Sequence, residues 1–152
     1  MVELVPKDNP VLRKKTEQVK DFDSVDFLVD ELFNKLETLE GVGLAAPQIG
    51  KSLSVAVLKY TRKKDDKADI SDIPETILIN PKIIWRSKER ELQTEACFSL
   101  PKQEFEVLRH KKIHIEYNAR SGKREKLKAK GLFARTIQHE IDHLDGILIC
   151  DK

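Results

Sequence analysis

The hydrophobic positions along the chain first predict two helices. Residues 22–41, FDSVDFLVDELFNKLETLEG, carry apolar side chains three and four positions apart, which is the spacing of one buried helical face. Ser24 is the expected N-cap of this helix, and Gly41 is its expected end. Residues 131–146, GLFARTIQHEIDHLDG, show the same periodicity up to Gly146, so they predict a second helix.

Between these helices the pattern becomes that of strands. The strand-like stretches are residues 54–60 (SVAVLKY), residues 76–87 (TILINPKIIWRS, predicted as two short strands around Asn80–Pro81) and a hairpin of residues 111–117 (KKIHIEY) and 124–131 (REKLKAKG) that turns at Ser121–Gly122. Residues 61–74, TRKKDDKADISDIP, are highly charged and are expected to form an exposed loop. One early helix, central strands and one late helix are typical of an α+β domain, so residues 1–152 are interpreted as a single domain.

Composition narrows the class of protein. The 152 residues include 28 basic and 26 acidic ones, and the resulting net charge of +2 gives no sign of a nucleic-acid partner. The first ten residues, MVELVPKDNP, lack the apolar core of an export signal, and no stretch has the length and apolarity of a membrane helix. Two cysteines are too few for a disulfide framework, so a reducing compartment is expected.

Residues 41–50, GVGLAAPQIG, contain the Gly-x-Gly-x-x-Ala spacing of a dinucleotide-binding turn. Such a turn must follow a strand and begin a helix whose N-terminus holds the phosphates. Here a predicted helix precedes Gly41, and Pro47 begins a turn that leads into a strand. This context argues against nucleotide binding. We interpret the small residues as a segment that lets another backbone approach closely.

Residues 138–143, QHEIDH, give the strongest chemical signal in the chain. His139 and His143 lie one helical turn apart, so both imidazoles can reach one metal ion. Glu140 lies beside that ion, where its carboxylate can accept a proton from water. The alternatives are a chance HExxH on an ordinary surface helix and two histidines that are satisfied by hydrogen bonds in the core. A neighbouring apolar stripe on the same helix predicts that this face is buried, which favours a metal site.

A catalytic site of this kind needs a third protein ligand. Cys97, in the segment TEACFSLP, is the best candidate, because sulfur with two imidazoles suits Zn²⁺ or Fe²⁺. An isolated buried thiol is its alternative role. The rival ligands are His110, His114 and Cys150. His110 lies among basic residues, His114 is expected to face solvent, and Cys150 is expected in the core.

Three segments, GVGLAAPQ, EACFSLP and QHEIDHLDG, follow one another in this order. Together they resemble the three signature motifs of the peptide deformylases, metalloenzymes that remove the formyl group from the N-terminal methionine of nascent polypeptides and release formate. The resemblance covers nearly the whole chain, from NPVLRKKTEQV through LINPKI to the last predicted helix. It implies an α+β fold in which antiparallel sheets pack around a C-terminal HExxH helix.

The resemblance also implies a role for each motif residue. Glu140 would be the general acid and base of the hydrolysis. The side-chain amide of Gln48 and the backbone N–H of Phe98 would stabilise the oxyanion. The implied metal ligands are Cys97, His139 and His143.

Substrate binding is implied by the resemblance as well. The small residues around Gly43 would let the substrate backbone pair alongside as an added strand. The methionine side chain would enter a pocket that includes the stem of Arg135. The residues implied to bind substrate are Val42, Gly43, Leu132, Arg135 and Thr136.

The chain departs from the family pattern around the second and third motifs. Ala96 and Phe98 flank Cys97 where glycine and leucine are usual, and Thr136 replaces a commoner cysteine. Alanine would be strained by about 1 kcal/mol or more if its position required a positive φ. No ligand is lost, so an active hydrolase is expected. The alternatives are a non-catalytic peptide-binding module on the same scaffold and an HExxH endopeptidase.

Further expectations follow from the same resemblance. Glu95 and Arg109 would form an ion pair beside the ligand loop. The cofactor would be one divalent ion, with Fe²⁺ as the native metal and Zn²⁺ or Ni²⁺ as alternatives. The partners would be the N-formylmethionyl peptide and the ribosome exit region, without a membrane or sequence-specific nucleic-acid partner, and the chain would be a monomer. The expected location is the bacterial cytoplasm, or the host cytoplasm or an organelle for a phage or organellar protein.

Overall fold

The computed structural model describes residues 2–152, which contain two α-helices and seven β-strands. The helices are α1 (Asp26–Leu39) and α2 (Gly131–Leu144), and the strands are β1 (Gly43–Ala45), β2 (Val55–Tyr60), β3 (Ile73–Arg86), β4 (Arg90–Cys97), β5 (Leu100–His110), β6 (Lys112–Asn118) and β7 (Arg124–Lys130). Short 3₁₀ turns lie at Pro10–Arg13, Phe22–Val25, Ala46–Ile49 and Ile149–Asp151. None of the described helices has both the length and the apolar character needed to cross a membrane.

Five strands form an antiparallel sheet in the order β1-β2-β3-β6-β7, and β4 pairs with β5 in a separate hairpin. Alternation along β2 divides the core, because Val55 and Val57 pack with α1 whereas Leu58 packs with α2. The inner faces of β6 and β7 also pack against α2. The predicted α+β fold is confirmed, and α2 lies where the large sheet and the hairpin can both reach it.

β3 is one strand and not the two that were predicted. Asn80 has a φ of 51°, and the pairing of β3 with β6 shifts register between Ile79 and Lys82. The amide of Asn80 accepts a hydrogen bond from the backbone N–H of Val19 at 2.8 Å and donates one to its carbonyl at 2.9 Å. These bonds hold the kink, so the strand continues through Pro81.

The predicted caps of α1 are wrong, although the helix itself is confirmed. A 3₁₀ turn precedes α1, and the hydroxyl of Ser24 donates to the carbonyl of Asp21 at 2.7 Å instead of capping the helix. At the other end the left-handed residue is Glu40, with a φ of 54°. Gly41 has a different reason to be small, because a Cβ there would lie 2.4 Å from two ring atoms of Phe98.

The β4–β5 hairpin was not predicted as a pair of strands, and it positions the middle motif. Its strands pair from Arg90 with His110 to Cys97 with Leu100 at the tip. Cys97, Leu100 and Val107 pack against Leu12, Leu148 and Ile149, which form a small separate core. The predicted β6–β7 hairpin is confirmed. The charged loop is confirmed for residues 61–72, but Ile73 is buried and begins β3.

The N-terminal segment passes beneath the end of α2. The backbone N–H and the hydroxyl of Thr16 both donate to the carbonyl of Leu144, each at 2.9 Å. Gly146 follows with a φ of 78°, and a Cβ there would lie 2.6 Å from the backbone oxygen of Arg13. Only glycine fits at this position, because both the φ and the neighbouring backbone exclude a side chain.

Candidate metal centre

Cys97, His139 and His143 come together between the tip of the β4–β5 hairpin and α2. One ligand atom from each residue lies within 4.8 Å of the other two. The Sγ atom of Cys97 is 3.3 Å from Nε2 of His143, which is 3.2 Å from Nε2 of His139. One sulfur and two imidazole nitrogens facing one point form a donor set that suits Zn²⁺ or Fe²⁺.

The rival ligands lie outside this group among residues 2–152. His110 Nδ1 lies 2.7 Å from the carbonyl of Ser87, and the half-buried ring of His114 stacks on Trp85. The prediction that Cys150 lies in the core is wrong, because this cysteine is exposed. The 3₁₀ turn at Ile149–Asp151 buries Ile149 and turns the next side chain outward.

The electrostatics of the cluster also fit a cation. Burial opposes the charged form of His139, but hydrogen bonds with Cys97 and Glu95 and the charge of Glu140 outweigh it and raise the pKa of His139 to about 10. Burial, followed by the charges of His139 and Arg109, lowers the pKa of His143 well below its usual value. His143 is therefore a neutral imidazole, which is the form that coordinates a metal.

Glu95 orients His139 and is itself held by two arginines. Its Oε1 atom lies 2.9 Å from Nδ1 of His139, so Nε2 of that ring turns toward the cluster. Arg109 binds both carboxylate oxygens, at 2.7 and 2.9 Å, and Arg135 adds a contact of 2.5 Å. Burial raises the pKa of Glu95, but hydrogen bonds from His139 and Arg109 outweigh it and lower this pKa to about 2. The predicted Glu95–Arg109 pair is confirmed.

Glu140 is buried beside the cluster and has a free oxygen. Within residues 2–152, its Oε1 atom has no hydrogen-bond partner. Burial, opposed by the charges of His139 and Arg109, raises the pKa of Glu140 to about 7. A Cβ on Gly43 would lie 2.7 Å from Oε2 of Glu140. Gly43 therefore makes room for this carboxylate, a role that the sequence pattern alone does not suggest.

Gln48 is buried, so it is not an exposed turn residue. Its Oε1 accepts the backbone N–H of Ala45 at 3.0 Å, and this bond fixes which way the amide points. Its Nε2 donates to the hydroxyl of Ser99 at 3.1 Å and lies 3.7 Å from Sγ of Cys97. Ser99 was not predicted as a site residue, and its place two positions after Cys97 is the signal that could have found it.

A cleft of about 840 Å³ opens over these side chains. Its walls come from α2, from the β4–β5 hairpin and from β1, which is an edge strand of the large sheet. Arg135 contributes its stem, since its guanidinium is directed toward Glu95 and the carbonyl of Val107. The structure brings all of the predicted substrate residues to this cleft: Val42, Gly43, Leu132, Arg135 and Thr136.

Comparison with known proteins agrees with this arrangement. The sequence matches the polypeptide deformylase family over residues 1–152. This chain belongs to the peptide deformylase family. It is 38% identical to a peptide deformylase from Bartonella henselae over 149 residues, which cover 97% of this chain and 81% of that protein. It is 41% identical to one from Dictyoglomus thermophilum over 145 residues, covering 95% and 87% of the two chains.

Solved deformylase structures share the fold. The crystal structure of the peptide deformylase from Thermotoga maritima superposes with a TM-score of 0.88 at 32% identity, and the match covers 100% of this chain and 97% of that one. A protein from Synechococcus phage S-SSM7, described as a probable peptide deformylase, gives a TM-score of 0.87 at 38% identity and covers 99% of both chains. The predicted family and its fold are therefore confirmed.

The three residues that depart from the usual deformylase pattern, Ala96, Phe98 and Thr136, all lie near the ligand cluster. Ala96 is exposed and does not have a positive φ, so it does not carry the strain that was considered. The ring of Phe98 lies against Gly41 at the wall of the cleft. The hydroxyl of Thr136 donates to the carbonyl of Leu132 at 2.8 Å within α2, and its methyl group faces Gly43. None of the three side chains disturbs the ligand cluster.

Proposed function

We propose that this chain hydrolyses the N-formyl group of formylmethionyl peptides and releases formate. The observation that carries the proposal is the convergence of Cys97, His139 and His143 beside a buried glutamate with a free oxygen. Cys97, His139 and Glu140 line a cleft, and the chain belongs to the peptide deformylase family. Similarity to named deformylases over nearly the whole chain supports the same reaction.

Cys97, His139 and His143 would hold one divalent cation, which we propose to be Fe²⁺ natively, with Zn²⁺ or Ni²⁺ as substitutes. When bound, such an ion supplies a Lewis acid that polarises a carbonyl and makes a neighbouring water molecule more acidic. The donor set and the neutral state of His143 support this assignment. Glu95 would keep Nε2 of His139 directed at the ion, since it holds Nδ1 of the same ring.

Glu140 would move the protons of the reaction. Its carboxylate accepts a proton from water as the water oxygen forms a bond to the formyl carbon. The same group then delivers this proton to the peptide nitrogen as the carbon–nitrogen bond breaks, which gives formic acid and a free amine. The acid proton passes to the amine or to solvent, so the acid leaves as formate. A pKa of about 7 suits a group that must both accept and donate near neutral pH.

Gln48 and the backbone N–H of Phe98 would stabilise the negative charge that gathers on the formyl oxygen. The side chain of Gln48 supports this role because it is buried, is fixed by Ala45 and carries its amide nitrogen near Cys97. Fixed donors of this kind need no reorganisation during the reaction. Ser99 would hold the amide until substrate arrives.

The peptide would bind along β1 as an added strand. β1 is an edge strand whose Gly43 lines the cleft, and this supports main-chain pairing with an extended substrate. Val42, Leu132, Thr136 and the stem of Arg135 would surround the methionine side chain. Their position on the wall next to Glu140 supports a pocket for the first residue.

Three substrates and one metal analysis test the proposal. The protein is purified without oxygen, its metal content is measured, and it is assayed with a formyl-Met tripeptide, the matching acetyl-Met tripeptide and a peptide with an internal amide. We expect about one metal ion per chain and cleavage of the formyl peptide alone. Internal cleavage would indicate an endopeptidase, and binding without turnover would indicate a non-catalytic module. Either result would contradict the proposal.

We also propose that residues 1–152 act as one domain and as a monomer, in the cytoplasm, on chains that emerge at the ribosome exit. The formyl group is present only on newly made chains, and the named relatives from bacteria support this setting. Light scattering after size exclusion is expected to give the mass of one chain, 17.5 kDa. A dimer mass would contradict the monomer.

A further inference from the structure

One face of the large sheet carries rows of lysine around an exposed aromatic pair. β6 and β7 pair Lys112 with Lys130 and His114 with Lys128, and β3 adds Trp85 opposite His114. In β6 and β7 these side chains alternate with the residues that pack against α2, so they lie on the opposite side of the sheet. In β3 a register shift after Ile83 brings Trp85 to this side, where it pairs with His114. We call this surface the basic sheet face, and it consists of Lys82, Trp85, Lys112, His114, Lys126, Lys128 and Lys130.

The net charge of the chain hides this concentration of positive charge. Residues 111–130 contain eight Lys or Arg and only two Glu, although the whole chain has a net charge of +2. The rest of the chain is therefore net negative. Among residues 2–152, none of the five lysines of the basic sheet face has a carboxylate within 4.0 Å. Glu116, on the same side of the sheet, pairs with Arg124. The lysine charges are thus available to an external anion.

Trp85 gives this surface a second kind of contact. Trp85 is 45% exposed, so part of a large aromatic side chain is accessible among the lysines. The ring lies 4.5 Å from that of His114, centroid to centroid, with a tilt of 35°. His114 supports one side of the indole, and the exposed part of the ring remains open to a planar partner. A nucleic-acid base is the partner that such a ring stacks on most readily beside phosphate-binding lysines.

We propose that the basic sheet face binds single-stranded RNA without sequence preference. Lys126, Lys128 and Lys130 repeat at every second residue, or about 7 Å along the strand, and can follow a phosphate backbone. Trp85 receives an unpaired base. The face lies opposite α2, so bound RNA leaves the cleft open to peptide.

The geometry favours RNA over an anionic membrane. Membrane-surface elements usually present a stripe of several apolar side chains that enter the lipid. Around the basic sheet face the large exposed apolar side chains are Trp85 and its neighbour Ile84. The charges lie in rows along two paired strands, which matches a linear polyanion.

Fluorescence anisotropy with the metal-loaded protein tests this proposal. The probe is a labelled oligouridylate of about twelve nucleotides, titrated at several KCl concentrations. Each phosphate contact contributes about 0.7 to the slope of log K against log salt. The double variant Lys126→Gln/Lys128→Gln is therefore expected to reduce that slope by about 1.4. Trp85→Ala is expected to weaken binding at least about fivefold, whereas Trp85→Phe keeps a stacking ring and most of the affinity.

A matched control removes two other charges from the surface. Lys64 and Lys67 are exposed in the charged loop outside this face, and Lys64→Gln/Lys67→Gln is expected to leave the salt slope unchanged. Hydrolysis of a formyl-Met tripeptide is expected to be the same in every variant, which also shows that each one is folded. Absence of wild-type binding at low salt, an equal loss in the control, or binding to phosphatidylserine vesicles without binding to RNA would overturn the proposal. If Trp85→Ala does not fold, the lysine variants and Trp85→Phe still decide it.

Discussion

The two helices of this protein have the same length and opposite characters. Both contain 14 residues, but α1 buries four side chains, all of them leucine or valine. α2 buries nine, and five of these are polar: Arg135, Thr136, Gln138, Glu140 and His143. α1 is an ordinary amphipathic helix with one apolar face, whereas α2 is surrounded by the sheet, the hairpin and the N-terminal segment.

The difference shows how a polar helix can be buried. Gln138 accepts the backbone N–H of His110 at 3.1 Å and donates to its carbonyl at 2.9 Å, so it acts as a strand partner for the end of β5. Arg135 and Thr136 also have hydrogen-bond partners. In residues 2–152, the buried side-chain atoms without a partner are Oε1 of Glu140 and Nδ1 of His143. Both atoms thus belong to side chains of the proposed site.

Replacing the base of α2 is expected to have the largest effect. Glu140→Gln keeps the shape of the side chain but cannot accept a proton, so kcat/KM is expected to fall by a factor of about 10²–10⁴ or more. Metal content, measured by mass spectrometry, is expected to remain that of the wild type. Glu37→Gln, on the exposed side of α1, is the matched control and should change neither quantity. Retained turnover in Glu140→Gln would remove Glu140 from the mechanism.

Removing the sulfur that faces α2 is expected to lower metal content. Cys97→Ala leaves two imidazoles, which bind a divalent ion much less tightly than three ligands, and activity should fall with the metal. Cys150→Ala removes the other, exposed thiol and is expected to retain both. Unchanged metal content in Cys97→Ala would mean that the third ligand is His110, His114 or Cys150.

The two helices also differ in how much their ion pairs with arginine contribute to the free energy of unfolding. Arg109 is buried between Glu95 of β4 and Asp142 of α2. Arg109→Met leaves these carboxylates buried without their partner, so it is expected to reduce the free energy of unfolding by about 3–5 kcal/mol. Arg120 pairs with Asp26 and Asp30 of α1 in solvent, and Arg120→Met is expected to cost less than about 1 kcal/mol. Urea denaturation measures both. Equal losses would contradict the distinction between the two surroundings.

A substitution that creates a cavity beneath α1 is expected to lower the free energy of unfolding without changing kcat/KM. Leu32 is fully buried, and Leu32→Ala is expected to lower the free energy of unfolding by about 2–5 kcal/mol. Because α1 contributes no ligand, the metal content and kcat/KM of the folded fraction should stay at wild-type values. A large loss of kcat/KM at a temperature where the variant is folded would show that α1 helps to shape the cleft.

The smallest effect is expected on the outer side of α1. Phe27 is 75% exposed, so Phe27→Ser is expected to change the free energy of unfolding by less than about 0.5 kcal/mol. Urea denaturation checks this value, and unchanged hydrolysis is expected as well. A loss above 1 kcal/mol would mean that the ring covers apolar surface that its exposure does not reveal.

Much of the site was accessible from the sequence because its signals are local. The HExxH spacing depends on one helix, and both helices follow from apolar periodicity within about four turns. The choice of Cys97 over the rival ligands followed from residue chemistry, and the structure places its sulfur beside His143. The ion pair of Glu95 and Arg109 is also present, although the sequence did not indicate that Arg135 would join it.

The parts that the sequence did not predict depend on distant contacts. The β4–β5 hairpin has many exposed positions and little apolar alternation, and it is held by Leu12 and Ile149 from the two ends of the chain. Gly43 cannot carry a side chain because the carboxylate of Glu140, almost a hundred residues away in sequence, occupies that space. Ser24 bonds to Asp21 instead of α1, because a 3₁₀ turn forms first. Sequence patterns within a few residues do not predict contacts of this kind.

The bond between Thr16 and Leu144 has a consequence for how the protein is made. It joins residues 128 positions apart, so the segment around Thr16 cannot reach its final place until α2 has been synthesised. During translation, Leu12 and the residues around it remain without the partners that Leu148 and Ile149 later supply. The structure around Thr16 is therefore completed only after α2, the helix that supplies two of the proposed metal ligands, has left the ribosome.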